Sequence, residues 1–189
     1  MTTRYTFLAS PLGPLLLMSD GQSLTGLHTQ SDKYRPEIEP DWIADDAATP
    51  FAQARAQLRD YFDGRRTEFD LPLNPRGTEF QMQVWRALCG IPFGETISYA
   101  ELARRIGNPN ASRAVGMANS RNPISIIVPC HRVIGADNSL TGYAGGLDRK
   151  RALLELEARQ RGLFSQDLCA STLGTSMPGD PRTAKSCKV

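Results

Sequence analysis

Residues 126–134 read Ile-Ile-Val-Pro-Cys-His-Arg-Val-Ile, and no other stretch constrains the fold of this chain as much. The β-branched apolar run predicts a buried strand. Pro129 predicts its end, because a ring nitrogen has no N–H to give a sheet ladder. Cys130 therefore falls where a rigid element meets a turn, a place where a group can be held still and still be reached. Most cysteines are no more than small buried apolar residues. Here His131 is adjacent, and Asn, Arg, Tyr and Glu residues accompany the pair, so Cys130 reads as a reactive thiol.

The 189 residues allow one large domain or two small ones, and 40% hydrophobic content supports an ordinary core. No apolar run approaches the length of a membrane span, and the first residues lack the apolar region of a secretory signal. The expectation is a cytoplasmic protein with no membrane partner. The four cysteines (Cys89, Cys130, Cys169, Cys187) form no Cys-x-x-Cys pair, and the histidines are His28 and His131. A tetrahedral metal site would need ligands scattered along the whole chain, so neither metal nor cofactor is expected. Residues 1–78 carry a net charge of −3 and residues 79–162 a net charge of +4. A basic second half suits a polyanionic partner, although swings of this size are common.

The expected fold class is α+β: a small N-terminal α/β domain with an antiparallel sheet, then a mostly helical domain. Arg4–Ala9, Leu15–Met18 and Leu24–His28 predict short strands of a meander, separated by Pro- and Gly-containing turns. Residues 31–48 read as loop. Thr49-Pro50 predicts a helix start with Thr49 as the cap, running to Gly64. Phe69–Leu73 is a further strand candidate, and residues 74–77 read as a linker, giving domains at 1–77 and 78–162. Thr78-x-x-Gln81 and Ser98-x-x-Glu101 are capping boxes that open two helices. The second of these and a short helix over 111–119 form a helix-turn-helix candidate, although a plain αα-hairpin in a core matches the same pattern. Asp148 predicts the cap of a last helix that stops before Gly162. Residues 163–189 contain few large apolar side chains and read as a disordered tail.

Seven islands then occur in order: Gly94-Glu95-Thr96-Ile97-Ser98-Tyr99, Gly107-Asn108-Pro109, Arg113-Ala114-Val115-Gly116, Asn122-Pro123, Pro129-Cys130-His131-Arg132-Val133, Gly142-Tyr143-Ala144-Gly145-Gly146-Leu147 and Leu153-Leu154-x-x-Glu157. In this the chain resembles the O6-alkylguanine-DNA alkyltransferases, densely over 78–158 and loosely before. The resemblance implies a winged helix-turn-helix and a protein that moves an alkyl group irreversibly from O6-alkylguanine in double-stranded DNA to its own Cys130. O4-alkylthymine is a second candidate substrate. It implies a monomer in solution and leaves cooperativity on DNA open. Ala144 stands where some relatives have Ser, and the zinc-binding cysteines that some relatives carry near the N-terminus are missing.

Displacing an alkyl group from an aromatic oxygen needs a soft nucleophile, and a free thiol with a pKa near about 8.5 is only a few per cent ionised at neutral pH. His131 is the natural base, and the resemblance makes Glu157 its orienting partner, with a water between thiol and imidazole. Asn122 is expected to brace the Cys130 turn, and Tyr99 to give a proton to the leaving guanine. Because the target lies inside the stack it must be flipped out. Arg113 is expected to fill the gap, with Ala114, Gly116 and Ser120 letting the backbone lie close to DNA. Arg121 and Arg132 are expected on phosphates. The base pocket is expected from Val133, Tyr143, Ala144, Gly145 and Gly146. A lesion sensor, a cysteine hydrolase and a transcription factor are the competing classes. The presence of Cys130 opposes the first. The helix-turn-helix and the lack of an oxyanion motif oppose the second, and a cysteine-free segment before residue 78 opposes a fused regulatory domain.

Overall fold

The computed structural model describes residues 2–170, with side chains through residue 162. Strands β1 (Arg4–Leu8), β2 (Leu15–Ser19) and β3 (Leu24–Thr29) form the expected antiparallel meander. Alternation sends Leu15 and Leu17 of β2 to one face, where they join Leu24 and Leu27 in the core. Helix α1 (Thr49–Phe62) supplies Phe51, Ala54, Leu58 and Tyr61 to the same core. A two-residue strand, β4 (Ile43–Ala44), pairs parallel with β1 at the sheet edge. It lies inside the stretch read as loop, and two exposed residues leave no periodicity to detect.

Two local expectations give way here. The cap of α1 is Ala48 rather than Thr49, and no side chain caps that end. Pro50 is tolerated one position further in, because N–H groups of the first turn have no intrahelical partner. Residues 69–73 form no strand but a single parallel bridge, Leu73 to Leu24. Pro72 has no N–H for a ladder, so it contributes only its carbonyl, to Leu24 N at 2.8 Å.

The second half opens with α2 (Glu79–Cys89) behind the expected capping box. Thr78 Oγ1 accepts from Gln81 N at 3.3 Å, and Gln81 Oε1 accepts from Thr78 N at 2.9 Å. Val84, Trp85 and Leu88 are buried, and Trp85 Nε1 donates to Ala118 O at 2.9 Å. Ser98 caps α3 (Tyr99–Arg105) by accepting from Glu101 N, but the Glu101 carboxylate turns to Arg104 and Arg105, so half of that box is made. Residues 106–111 lead to α4 (Ser112–Ser120), which packs on α2 and α3 and completes the helix-turn-helix. A parallel pair, β5 (Ile97–Ser98) with β6 (Val133–Ile134), was not foreseen, being two residues long on each side.

The apolar run before Pro129 is buried, as expected, but is not a strand. Ile126 sits at φ +73°, and the run closes on itself through Ile127 N to Ser125 O and Val128 N to Ile124 O. A left-handed β-branched residue costs about 1–2 kcal/mol. Ile124, Ile126, Ile127 and Val128 are all buried, which offsets that cost. The turn is also tied to β3, by Leu27 N to Pro123 O at 2.8 Å and Ser125 N to Leu27 O at 3.0 Å. A 3-10 turn, Cys130–Arg132, follows.

Helix α5 (Leu147–Ala170) begins one residue before Asp148 and passes straight through Gly162. A Gly inside a helix costs only about 1 kcal/mol against Ala, which a long helix absorbs. The segment read as a tail is therefore helical through Ala170, and the rest of it lies outside the described residues. Thr78→Ala removes one half of an intact capping box, and should cost about 1 kcal/mol in urea unfolding with an unchanged m-value.

Candidate active site

Glu157, on the inward face of α5, is fully buried and accepts six hydrogen bonds from four residues. His131 Nε2 lies 2.8 Å from Oε1, Arg132 Nη2 2.9 Å from Oε1 and Arg132 Nε 2.9 Å from Oε2. Tyr61 Oη donates to Oε1 at 2.8 Å and Gly94 N to Oε2 at 3.0 Å. Burial raises the carboxyl, but His131 and Arg132 outweigh it and hold Glu157 well below the usual carboxylate range. An ionised Glu157 accepts only, so Nε2 of His131 carries the hydrogen and Nδ1 is left as a base. Nδ1 is buried with no partner among the described residues. Burial lowers the pKa of His131, against the pull of Glu157, so the resting imidazole is neutral.

Arg132 is not on a phosphate-binding surface. It is buried, with Nη1 on Ile91 O at 2.7 Å and the guanidinium 5.6 Å from the Phe93 ring centroid. Its charge is the counterweight that lets a carboxylate sit in the core at all.

Cys130 is a buried free thiol. Asn122 braces its turn as expected: Nδ2 lies 2.8 Å from Val128 O and 3.1 Å from Cys130 Sγ, while Oδ1 accepts from Ile124 N at 3.0 Å. Burial pushes the thiol up to about 11, despite the Asn122 contact and the Lys150 charge. The neighbours therefore do not produce a resting thiolate, and the proton must leave during the reaction.

Tyr99 Oη donates to Thr141 O at 3.0 Å, which sets its ring against the loop after β6. Burial raises its pKa, as does the nearby Cys130, so the phenol keeps its proton. Gly142 must lack a side chain, since at φ +64° a Cβ would lie 2.6 Å from Tyr99 Oη. Tyr143 Oη is buried, and burial, with the nearby Cys130, raises its pKa well above the ordinary value. The N-terminal loop holds the next two residues: Lys33 N donates to Ala144 O at 3.1 Å and Ser31 Oγ to Gly145 O at 3.2 Å. Gly146 is exposed at the start of α5, and Val133 lies fully in the core beneath.

Sequence reasoning missed three contributors. Lys150 is buried, with Nζ on Val133 O and, at 2.6 Å, on Thr141 O, joining β6 to the pocket loop. Burial lowers it to about 8. Between Arg149 and Arg151 it looks like one more surface cation. Asn119 Nδ2 donates to Cys130 O at 3.3 Å from the last turn of α4. Tyr61 stands far from every motif.

On α4, Arg113 and Ala114 are exposed, and Gly116 and Ser120 are half-buried. Met117 is 67% exposed one turn after Arg113, a bare apolar tip on the same face. Arg121 is exposed with its guanidinium 4.6 Å from the Tyr34 ring centroid. The thiol, imidazole, carboxylate and amide thus converge, while the α4 residues form a separate face outside them. Among the described residues no cluster of three or more His, Cys, Asp and Glu side chains is placed to hold a metal ion, and no helix is long and apolar enough to cross a membrane.

An antiparallel sheet domain, a helix-turn-helix and a buried His–Glu pair next to a buried cysteine define a two-part protein built around one sheltered thiol. Residues 3–75 match the family described as 6-O-methylguanine DNA methyltransferase, ribonuclease-like domain, and residues 79–159 match its DNA binding domain. The methylated-DNA–protein-cysteine methyltransferase of Mycobacterium bovis is 56% identical over 153 residues, covering 81% of this chain and 91% of that protein. The protein of the same name from Methanosarcina barkeri is 54% identical over 81% of this chain and 96% of its own. The crystal structure of Mycobacterium tuberculosis OGT in complex with DNA superposes with a TM-score of 0.77 at 52% identity, covering 85% of this chain and 94% of that one. The chain belongs to the methylated-DNA–protein-cysteine methyltransferase family.

The depressed pKa of Glu157 makes a prediction with a definite sign. The folded protein binds fewer protons than the unfolded chain, whose carboxyl titrates near about 4.3, so this stabilisation is full above that pH and is lost as pH falls below it. Glu157→Gln leaves Arg132 buried without its counter-charge. Near neutral pH it should lose roughly 3–5 kcal/mol, and the acid side of its melting-temperature curve should flatten. Thermal melts from about pH 3 to about pH 8 check this, and an unchanged curve would make Glu157 a bystander.

Proposed function

We propose that this protein repairs DNA by moving the alkyl group of O6-alkylguanine onto its own Cys130, irreversibly and once per molecule. The carrying observation is the buried His131–Glu157 pair next in the chain to the buried Cys130 thiol, with Asn122 on the sulfur. The relatives' names and the DNA-bound neighbour support the same reading.

The residues divide the chemistry. As the alkyl carbon arrives, the Cys130 proton passes to Nδ1 of His131, directly or through one water, and Glu157 stabilises the resulting imidazolium. The sulfur then forms a bond to the alkyl carbon while the carbon–O6 bond breaks and its electron pair stays with guanine. Tyr99, kept protonated by burial, gives its proton to the base and regains one as the imidazolium releases its own. The thioether is stable, and no group in the site can hydrolyse it, so turnover ends there. Keeping the thiol protonated at rest spares it from oxidation and stray alkylation.

Reaching a base inside a duplex requires flipping it out, at a cost of a few kcal/mol. Arg113 and the exposed backbone of α4 are placed to enter a groove and fill the gap, with Ala114, Gly116 and Ser120 permitting close approach. Arg121 serves the phosphate backbone. The flipped guanine lies against Tyr143, Ala144, Gly145 and Gly146. O4-alkylthymine presents a similar ether and is a second substrate class. The protein acts as a monomer. Its location on this reading is the cytoplasm, as expected from the sequence.

Incubation with duplex DNA carrying O6-methylguanine should raise the intact mass by roughly 14 Da, mapped to Cys130, while Cys130→Ala binds the DNA and removes nothing. Methyl removal by Cys130→Ala would end this reading. Arg113→Ala should lose far more activity on the duplex than on free O6-benzylguanine, since only the duplex must be opened. Equal loss on both substrates would move Arg113 from flipping to folding or chemistry.

A further inference from the structure

We propose that Tyr61, in the N-terminal half and outside every motif of the site, is a positioning residue for the proton relay: its phenol pins the Glu157 oxygen that His131 uses. The inference rests on the reading of Cys130, His131 and Glu157 given above and extends it to a residue 96 positions away along the chain.

Oε1 of Glu157 takes Tyr61 Oη and His131 Nε2 at 2.8 Å each and Arg132 Nη2 at 2.9 Å, while Oε2 takes Arg132 Nε and Gly94 N. Arg132 alone could grip both oxygens in a bidentate pair, a geometry that sets no preference for where the imidazole lies. Tyr61 adds a neutral donor on Oε1, which fixes that atom without cancelling the charge His131 needs.

The phenol has no freedom to leave. It is fully buried among Phe62, Phe69 and Phe93, at ring-centroid distances of 5.4, 5.3 and 6.1 Å. Gln160 Nε2, one turn beyond Glu157 on α5, donates to Tyr61 O at 3.3 Å and ties α1 to α5 at the same place. Burial and the adjacent carboxylate raise its pKa well above the ordinary value, so it donates at every working pH. A satisfied core tyrosine would explain the burial alone. It would not explain why the hydroxyl meets the oxygen shared with the catalytic base.

The test is Tyr61→Phe, which deletes the hydroxyl and keeps the ring. Single-turnover rates with free O6-benzylguanine and with O6-methylguanine duplex should both fall about three- to tenfold, as for loss of one positioned hydrogen bond, with unchanged DNA affinity. With one donor gone, more negative charge faces His131 and stabilises its protonated form. The acid limb of the pH–rate profile should therefore move to higher pH, and the 15N resonances of His131 should titrate at higher pH in the variant. Tyr61→Leu removes the ring as well, and should lower the melting temperature in addition. Wild-type rates and an unshifted His131 titration in Tyr61→Phe would overturn the proposal. So would a rate loss equal at all pH that tracks a fall in melting temperature. If the unaltered protein gains no benzyl group on Cys130, the reading of the site itself fails, and the inference with it.

Discussion

One buried carboxylate organises this molecule. An ion taken from water into a protein interior costs several kcal/mol unless its partners replace that water. Glu157 is surrounded by donors from three places: Tyr61 of α1, Gly94 in the loop after α2, and the 3-10 turn, which gives both His131 and the balancing charge of Arg132. Because these donors come from three separate stretches of the chain, the same atoms that orient the His131 imidazole also fasten the N-terminal sheet domain to the C-terminal helices. The orientation of His131 and the stability of the fold are therefore not separable at this residue, as they would be for an exposed helix carboxylate.

The thiol is set by a second, weaker constraint. Ile126 accepts a left-handed conformation so that residues 122–130 can wrap around the Asn122 amide, which meets two backbone groups and the sulfur. The turn is held from outside by β3 on one flank and by Asn119 of α4 on the other. Helix α4 is in turn fixed to α2 through Trp85 and Ala118. The α4 face that carries Arg113 and the sulfur are thus parts of one connected block.

The pocket loop is held differently. Its carbonyls at 133 and 141 meet the Lys150 ammonium, and those at 144 and 145 meet the N-terminal loop around Ser31 and Lys33. No regular ladder supports this loop. Its shape depends on side chains that arrive from both halves of the chain.

The amino-acid sequence by itself determined the meander, the helices of the second half and the Cys130–His131 pair around which the site gathers. Alternating Leu residues at 15 and 17, the Thr78–Gln81 box and the Cys130–His131 dipeptide are local signals, read over a few neighbours. The run 126–128 shows where that reading stops: β-branched composition predicts burial correctly, but a backbone that curls around Asn122 leaves no mark in periodicity. Arg132 shows the same limit for charge. Next to the catalytic pair it looks like a phosphate ligand, and only the packing of α5 against the 3-10 turn makes it the counter-charge of Glu157. Tyr61, Asn119 and Lys150 became visible only in three dimensions, because a hydrogen bond spanning 96 residues, or a lysine turned inward on a helix of basic neighbours, depends on how elements pack. Sequence named the thiol, imidazole, amide and carboxylate, and tertiary structure decided which groups hold them in place, since holding is a matter of distance across the chain.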